Sequence, residues 1–145
     1  MADLSVKSSA FENNKPIPKK YSCDGEEVNP PLTVEGIPAA TKTLALVIDD
    51  PDAPRGTFDH WVVWNIAPTG KIDENKVPGV EGLNSARQHG YLGMCPPSGK
   101  HRYFFKVYAL DSKLDLKAAS GKKDLENAMQ GHVLAKGELV GLYKR

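Results

Sequence analysis

Apolar residues collect in three runs: Thr43 to Ile48 (TLALVI), His60 to Ile66 (HWVVWNI) and Arg102 to Leu110 (RYFFKVYAL). The first is apolar at odd and even positions alike, the pattern of a strand covered on both faces. His60 to Ile66 has the same character and is rich in aromatic and β-branched side chains, which suit a pleated surface. Arg102 to Leu110 is the longest. Leu32-Thr33-Val34, followed by Gly36-Ile37-Pro38, predicts a short strand. Pro16 and Pro18 fall within Phe11 to Tyr21, so a strand there is an edge strand or irregular, because proline has no amide hydrogen for a ladder. Asp124 to Val133 departs from this pattern. Its Leu125, Ala128, Met129 and His132 recur at helical spacing and predict a short amphipathic helix. Leu134 to Tyr143 returns to strand character, interrupted by Gly137 and Gly141. Eleven prolines and thirteen glycines punctuate the runs and imply many turns. The expectation is one mostly-β domain over residues 1–145, of antiparallel sheets, with one or two short peripheral helices near the C-terminus.

The ends of the apolar runs carry the chemistry. Asp49-Asp50-Pro51-Asp52-Ala53-Pro54 follows the first run, His60 opens the second, and His101-Arg102-Tyr103 opens the third. Crowded carboxylates raise each other's free energy, and burial disfavours their charged forms. A cluster of this kind at core strand ends suits the holding of something small and polar. The plainer alternative is a solvated turn whose carboxylates cap loop amides. Side chains alternate along a strand, so Asp50 shares a face with Leu44, Leu46 and Ile48. By the same rule His60 points with Val62 and Trp64, and His101 with Tyr103, Phe105 and Val107. Where such ends converge they form a polar pocket on an apolar floor, with imidazole and phenol groups able to meet an oxyanion. The Gly- and Pro-rich loop from Gly90 to Lys100 suits close backbone approach, and consecutive amides in such a loop can cradle an anion.

Composition narrows the reading. A chain of 145 residues with 40% hydrophobic and 26% charged residues fits one globular domain. A net charge of +1, with basic residues scattered, provides no footprint for nucleic acid. The apolar runs are far too short to span a membrane. Met1-Ala2-Asp3 leads into Leu4-Ser5-Val6 without a basic or apolar leader pattern, so a cytoplasmic protein is expected. Cys23 and Cys95 are too few for a disulfide framework and lack metal spacing. Two unrelated thiols are the favoured reading for a reducing compartment, with a bond between them left open. No metal or cofactor is expected.

Taken together, Asp50-Pro51-Asp52-Ala53-Pro54, His60-Trp61-Val62-Val63-Trp64-Asn65 and the stretch from Gly93 to Tyr103 resemble the signature blocks of the phosphatidylethanolamine-binding protein family, which includes the Raf kinase inhibitor proteins. The likeness extends through Cys23-Asp24-Gly25, Asn29-Pro30-Pro31-Leu32, Tyr108-Ala109-Leu110-Asp111, Gly131-His132-Val133-Leu134-Ala135 and the closing residues, in the compact prokaryotic form. The resemblance implies antiparallel sheets with Greek-key topology and a small anion-binding pocket. Its ligand residues would be Asp50, Asp52, Pro54, His60, Trp61, Gly93, Pro96, Pro97, His101 and Tyr103. It also implies a homodimer.

Three functional classes follow. One is a binding protein for a small anion: phosphate, a phosphomonoester or a carboxylate headgroup. The second is a protein inhibitor, since some members of the resembled family inhibit serine proteases and others bind kinases. Leu92-Gly93-Met94 and residues 113–122 are then the segments to present to a partner. The third is an enzyme, which is not expected. No Gly-x-Ser-x-Gly elbow occurs, and no nucleophile lies beside Asp50 and His60 in the sequence. His89 and His132 read as surface or helix-packing residues.

Overall fold

The computed structural model describes residues 2–145. The strands are β1 (Ala2–Asp3), β2 (Ser5–Lys7), β3 (Lys15–Pro16), β4 (Leu32–Glu35), β5 (Thr43–Asp50), β6 (Phe58–Ile66), β7 (Lys71–Ile72), β8 (Val80–Glu81), β9 (Lys100–Leu110) and β10 (Val133–Lys144). The helix α1 spans Lys122–Met129. The three apolar runs become β5, β6 and β9, and they lie side by side. The larger sheet has the order β1-β10-β9-β5-β6-β8, with β3 pairing further along β10; β2-β4-β7 form a smaller sheet. The β10–β9, β9–β5 and β5–β6 pairs are antiparallel, whereas the short β1 and β3 run parallel to β10. β3 contains Pro16 and lies at an edge, as a proline strand must.

The larger sheet is covered on both faces, which is why every residue of β5 is buried. On one face Leu44, Leu46, Ile48, Phe105 and Val107 pack with Val6, Leu32, Val34 and Ile72 of the smaller sheet. On the other, Ala45, Val47, Val62 and Trp64 meet Leu125 and Met129 of α1. Burying one such large side chain contributes about 1.5–3 kcal/mol. α1 begins after Gly121, whose amide donates to the Asp124 carboxylate at 3.2 Å, satisfying one free helix-end donor. It ends short of the predicted Val133 because Gly131 adopts φ of 81°, a left-handed conformation that stops a helix. Among the described residues no helix is long and apolar enough to cross a membrane.

Two expectations need correction. The first is the face of His60. Ile48 pairs with Trp61 and Asp49 with Asp59, so His60 is an extra residue in β6, a bulge. The bulge breaks strict alternation: Phe58, His60 and Trp61 lie toward the smaller-sheet side, while Val62 and Trp64 face α1. The second concerns the cysteines. Cys23 and Cys95 form a disulfide, with Cα atoms 5.5 Å apart across a sequence separation of 72. Ser22 and Met94 form a parallel bridge, and the Cys23 amide donates to the Met94 carbonyl at 3.1 Å, so the backbones bring the sulfurs together. Gly93 permits this approach, since a Cβ there would lie 2.7 Å from the Ser22 carbonyl carbon.

Candidate functional site

The ends of β5, β6 and β9 converge on a cavity of about 320 Å³, the size of a small-ligand site. Asp50 closes β5, and its position follows from the turn it starts. Its Oδ1 accepts the Asp52 amide at 2.8 Å, which folds the chain at Pro51. Its Oδ2 accepts the Nδ1–H of His101 at 2.7 Å. Asp50 and His101 are both nearly inaccessible, so the imidazole is the counter-group that makes this buried carboxylate tolerable.

His60 is held differently. Its Nδ1 lies 2.9 Å from the Leu92 carbonyl oxygen, and because a carbonyl only accepts, Nδ1 carries the hydrogen. The Leu92 amide donates back to the His60 carbonyl at 3.0 Å, which ties the bulge to the loop. Burial pushes the His60 pKa below the ordinary histidine value, against the upward pull of the Leu92 bond and Asp50. His60 is therefore neutral at pH 7 and presents the lone pair of Nε2. Phe58 lies edge-on to His60 at 4.9 Å, and His60 lies edge-on to Tyr103 at 5.4 Å, so the rings fix each other's orientation.

Tyr103 is fully buried on β9 and stacks at 6.4 Å on His101, and its hydroxyl, a neighbour of the Asp50 carboxylate, makes no well-formed hydrogen bond among the described residues. Burial, then the Asp50 charge, raise its pKa well above the tyrosine range, so the hydroxyl keeps its proton as a donor. The opposite wall is the Cys23–Cys95 disulfide, Pro96, Pro97 and Glu27, whose Oε2 accepts the Gly93 amide at 3.0 Å. Among the described residues no lysine or arginine lines the cavity.

Of the residues singled out in the sequence, Asp50, Pro54, His60, Gly93, Pro96, Pro97, His101 and Tyr103 line this cavity, whereas Asp52 and Trp61 do not. Asp52 accepts three bonds from Arg102, from the amide, Nε and Nη2, each at 2.9 Å. Arg102 holds the Asp52 pKa at about 2. Asp52 thus pins the turn to the start of β9. Trp61 is buried behind the cavity, where its indole N–H donates to Glu81 at 2.7 Å. Glu27, Phe58, Leu92 and the disulfide are further wall residues. Phe58 was legible, two positions before His60 on one strand; nothing local distinguishes Glu27 from Glu26. Leu92-Gly93-Met94 is not a presented loop, because Met94 is fully buried and Leu92 lines the cavity. His89 and His132 lie outside, donating to the Glu81 carbonyl and to Asp111.

Known proteins resemble the chain along nearly its full length. Residues 7–144 match the family model of phosphatidylethanolamine-binding protein. A UPF0098 protein of Methanothermobacter thermautotrophicus is 47% identical, the alignment covering 98% of this chain and 99% of that one. The crystal structure of a phosphatidylethanolamine-binding protein homologue from Chlamydia trachomatis superposes with a TM-score of 0.95 at 40% identity, covering 100% of this chain and 99% of the other. YbcL of E. coli, described as a member of the mammalian family, superposes with a TM-score of 0.90 at 28% identity, covering 99% of both chains.

Proposed function

Since this chain belongs to the phosphatidylethanolamine-binding protein family, we propose that its cavity binds the head of a small oxyanion, such as phosphate, a phosphomonoester or a carboxylate, without chemical turnover. The observation that carries the reading is the Tyr103 hydroxyl, buried beside the Asp50–His101 pair and without a well-formed hydrogen bond among the described residues. A buried polar group left unpaired costs about 1–3 kcal/mol, and a ligand oxygen would recover it. The second nitrogen of His101 makes no hydrogen bond among the described residues; with Nδ1–H given to Asp50 it carries a lone pair and donates to an anion only when the ring is protonated. Phe58, Leu92, Pro96 and Pro97 add an apolar rim for whatever the head is attached to.

What surrounds the imidazoles supports the binding reading. No serine or threonine hydroxyl lines the cavity, and both cysteines beside it are tied in the disulfide. Among the described residues the cavity thus presents no serine, threonine or free cysteine for an imidazole to activate. Titration calorimetry with phenyl phosphate on the parent protein, His101→Ala and Tyr103→Phe tests the reading. Binding by the parent that is lost in His101→Ala and weakened in Tyr103→Phe is expected. Binding unchanged in both variants would place the site elsewhere.

A further inference from the structure

The hydrogen-bonding inventory of the cavity is unusual for an anion site. A carboxylate offers about four lone-pair positions, and Asp50 uses one for His101 Nδ1–H and one for the Asp52 amide. Its side chain lines the cavity with acceptor capacity to spare. His60 adds a second acceptor, because its single proton is committed to the Leu92 carbonyl and burial keeps the ring neutral. Glu27 is a third negative group in the wall. The opposing donor is the Tyr103 hydroxyl, since the Nδ1–H of His101, like that of His60, is already committed, here to Asp50. The guanidinium of Arg102, which lies between His101 and Tyr103 in the sequence, is spent on Asp52.

An oxyanion without a hydrogen of its own would satisfy Tyr103, but it would press its other oxygens against acceptors that cannot donate. An oxyanion bearing one acidic hydrogen fits both sets. Resting on the oxyanion reading above, we infer that the cavity selects oxyanions that carry their own proton, a phosphomonoester monoanion over a sulfate monoester, with Asp50 as the acceptor of that proton. Asp50 is then the specificity-determining residue, and the Asp50–His101 bond is what aims it. The apolar rim of Phe58, Leu92 and Pro97 sets the site to take the ester group.

The test compares phenyl phosphate with phenyl sulfate in calorimetric titrations of the full chain at a pH of about 5.5. Below the second phosphate pKa of about 6 both ligands are predominantly monoanions, so shape and charge match and the P–OH hydrogen is the difference. Phenyl phosphate should bind at least tenfold more tightly, the least expected for a hydrogen bond to a charged acceptor worth about 1.5–3 kcal/mol. Asp50→Asn, which can turn an N–H toward the ligand, should shrink that ratio to about threefold or less. Phenyl sulfate binding within about threefold of phenyl phosphate in the parent protein would overturn the selectivity while leaving the oxyanion site standing. A full ratio retained in folded Asp50→Asn would remove Asp50 from the role. Binding of neither ligand would overturn the oxyanion reading and the inference with it. The two parent titrations decide the selectivity even where Asp50→Asn does not fold.

Discussion

Asp49 and Asp50 are neighbours on β5, both almost inaccessible, and they point to opposite faces of the sheet. Toward α1, Asp49 Oδ2 accepts from Lys106 Nζ at 3.0 Å and Lys122 Nζ at 3.4 Å, and Lys122 also reaches Asp59 at 3.0 Å. Burial, the largest influence on Lys122, lowers its pKa. The bonds and charges of Asp59 and Asp49 outweigh it and leave the ammonium raised. Two carboxylates and two ammoniums lie in ion-pair distance of one another, although Asp59 Oδ1 makes no well-formed hydrogen bond. Toward the smaller sheet, Asp50 meets one imidazole and one amide and keeps acceptor capacity beside a cavity. Burial and charge are alike at the two positions. The separating feature is acceptor capacity that faces a cavity, and on that ground the Asp50 side is the one proposed to bind.

The contrast can be broken in four ways, taken from the largest effect to the smallest. The disulfide lies only on the Asp50 side. A double Cys23→Ser, Cys95→Ser variant should lose about 4–5 kcal/mol by the loop-entropy estimate for a separation of 72 residues. It should also weaken phenyl phosphate binding, because one cavity wall comes free. Affinity that stays unchanged by calorimetry would show that the wall is held without the bond.

Phe105→Ala, in the core beneath Asp50, should cost about 3–5 kcal/mol in denaturant melts, the range for truncating a buried aromatic. A loss below about 1 kcal/mol would contradict its packing. Asp49→Asn should cost about 1–2 kcal/mol, less than a fully buried pair, since its lysine partners are 33% and 22% exposed. Its affinity for phenyl phosphate should remain within about twofold of the parent. A large loss of affinity would dissolve the distinction between the two aspartates.

The smallest effect is on the pH dependence of stability. The folded pKa of His60 is depressed by burial, so the unfolded chain binds the proton more readily. Its contribution is then fully present above the unfolded value of about 6.5 and is lost as pH falls from there through the folded pKa. Chemical melts of the parent should therefore show stability declining across that acidic window. His60→Gln should decline less steeply; identical slopes would mean that His60 titrates as it does in the unfolded chain.

Periodicity and motif alone determined the three central strands, the helix near Leu125, the face of Asp50 along its own strand and the common face of His101 and Tyr103 along theirs. Each follows from repeats within a single segment, and hydrophobic burial enforces such local patterns wherever the segment packs. Family resemblance carried most of the cavity lining. Tertiary structure decided the rest. The bulge that turns both His60 and Trp61 to one side depends on how β6 registers against β5, which no pattern within β6 records. The capture of Asp52 by Arg102 and the joining of Cys23 to Cys95 need chain segments 50 and 72 residues apart to meet. Those encounters are set by the pairing of whole strands and by a glycine small enough for two backbones to touch, so their outcome is a property of the folded chain.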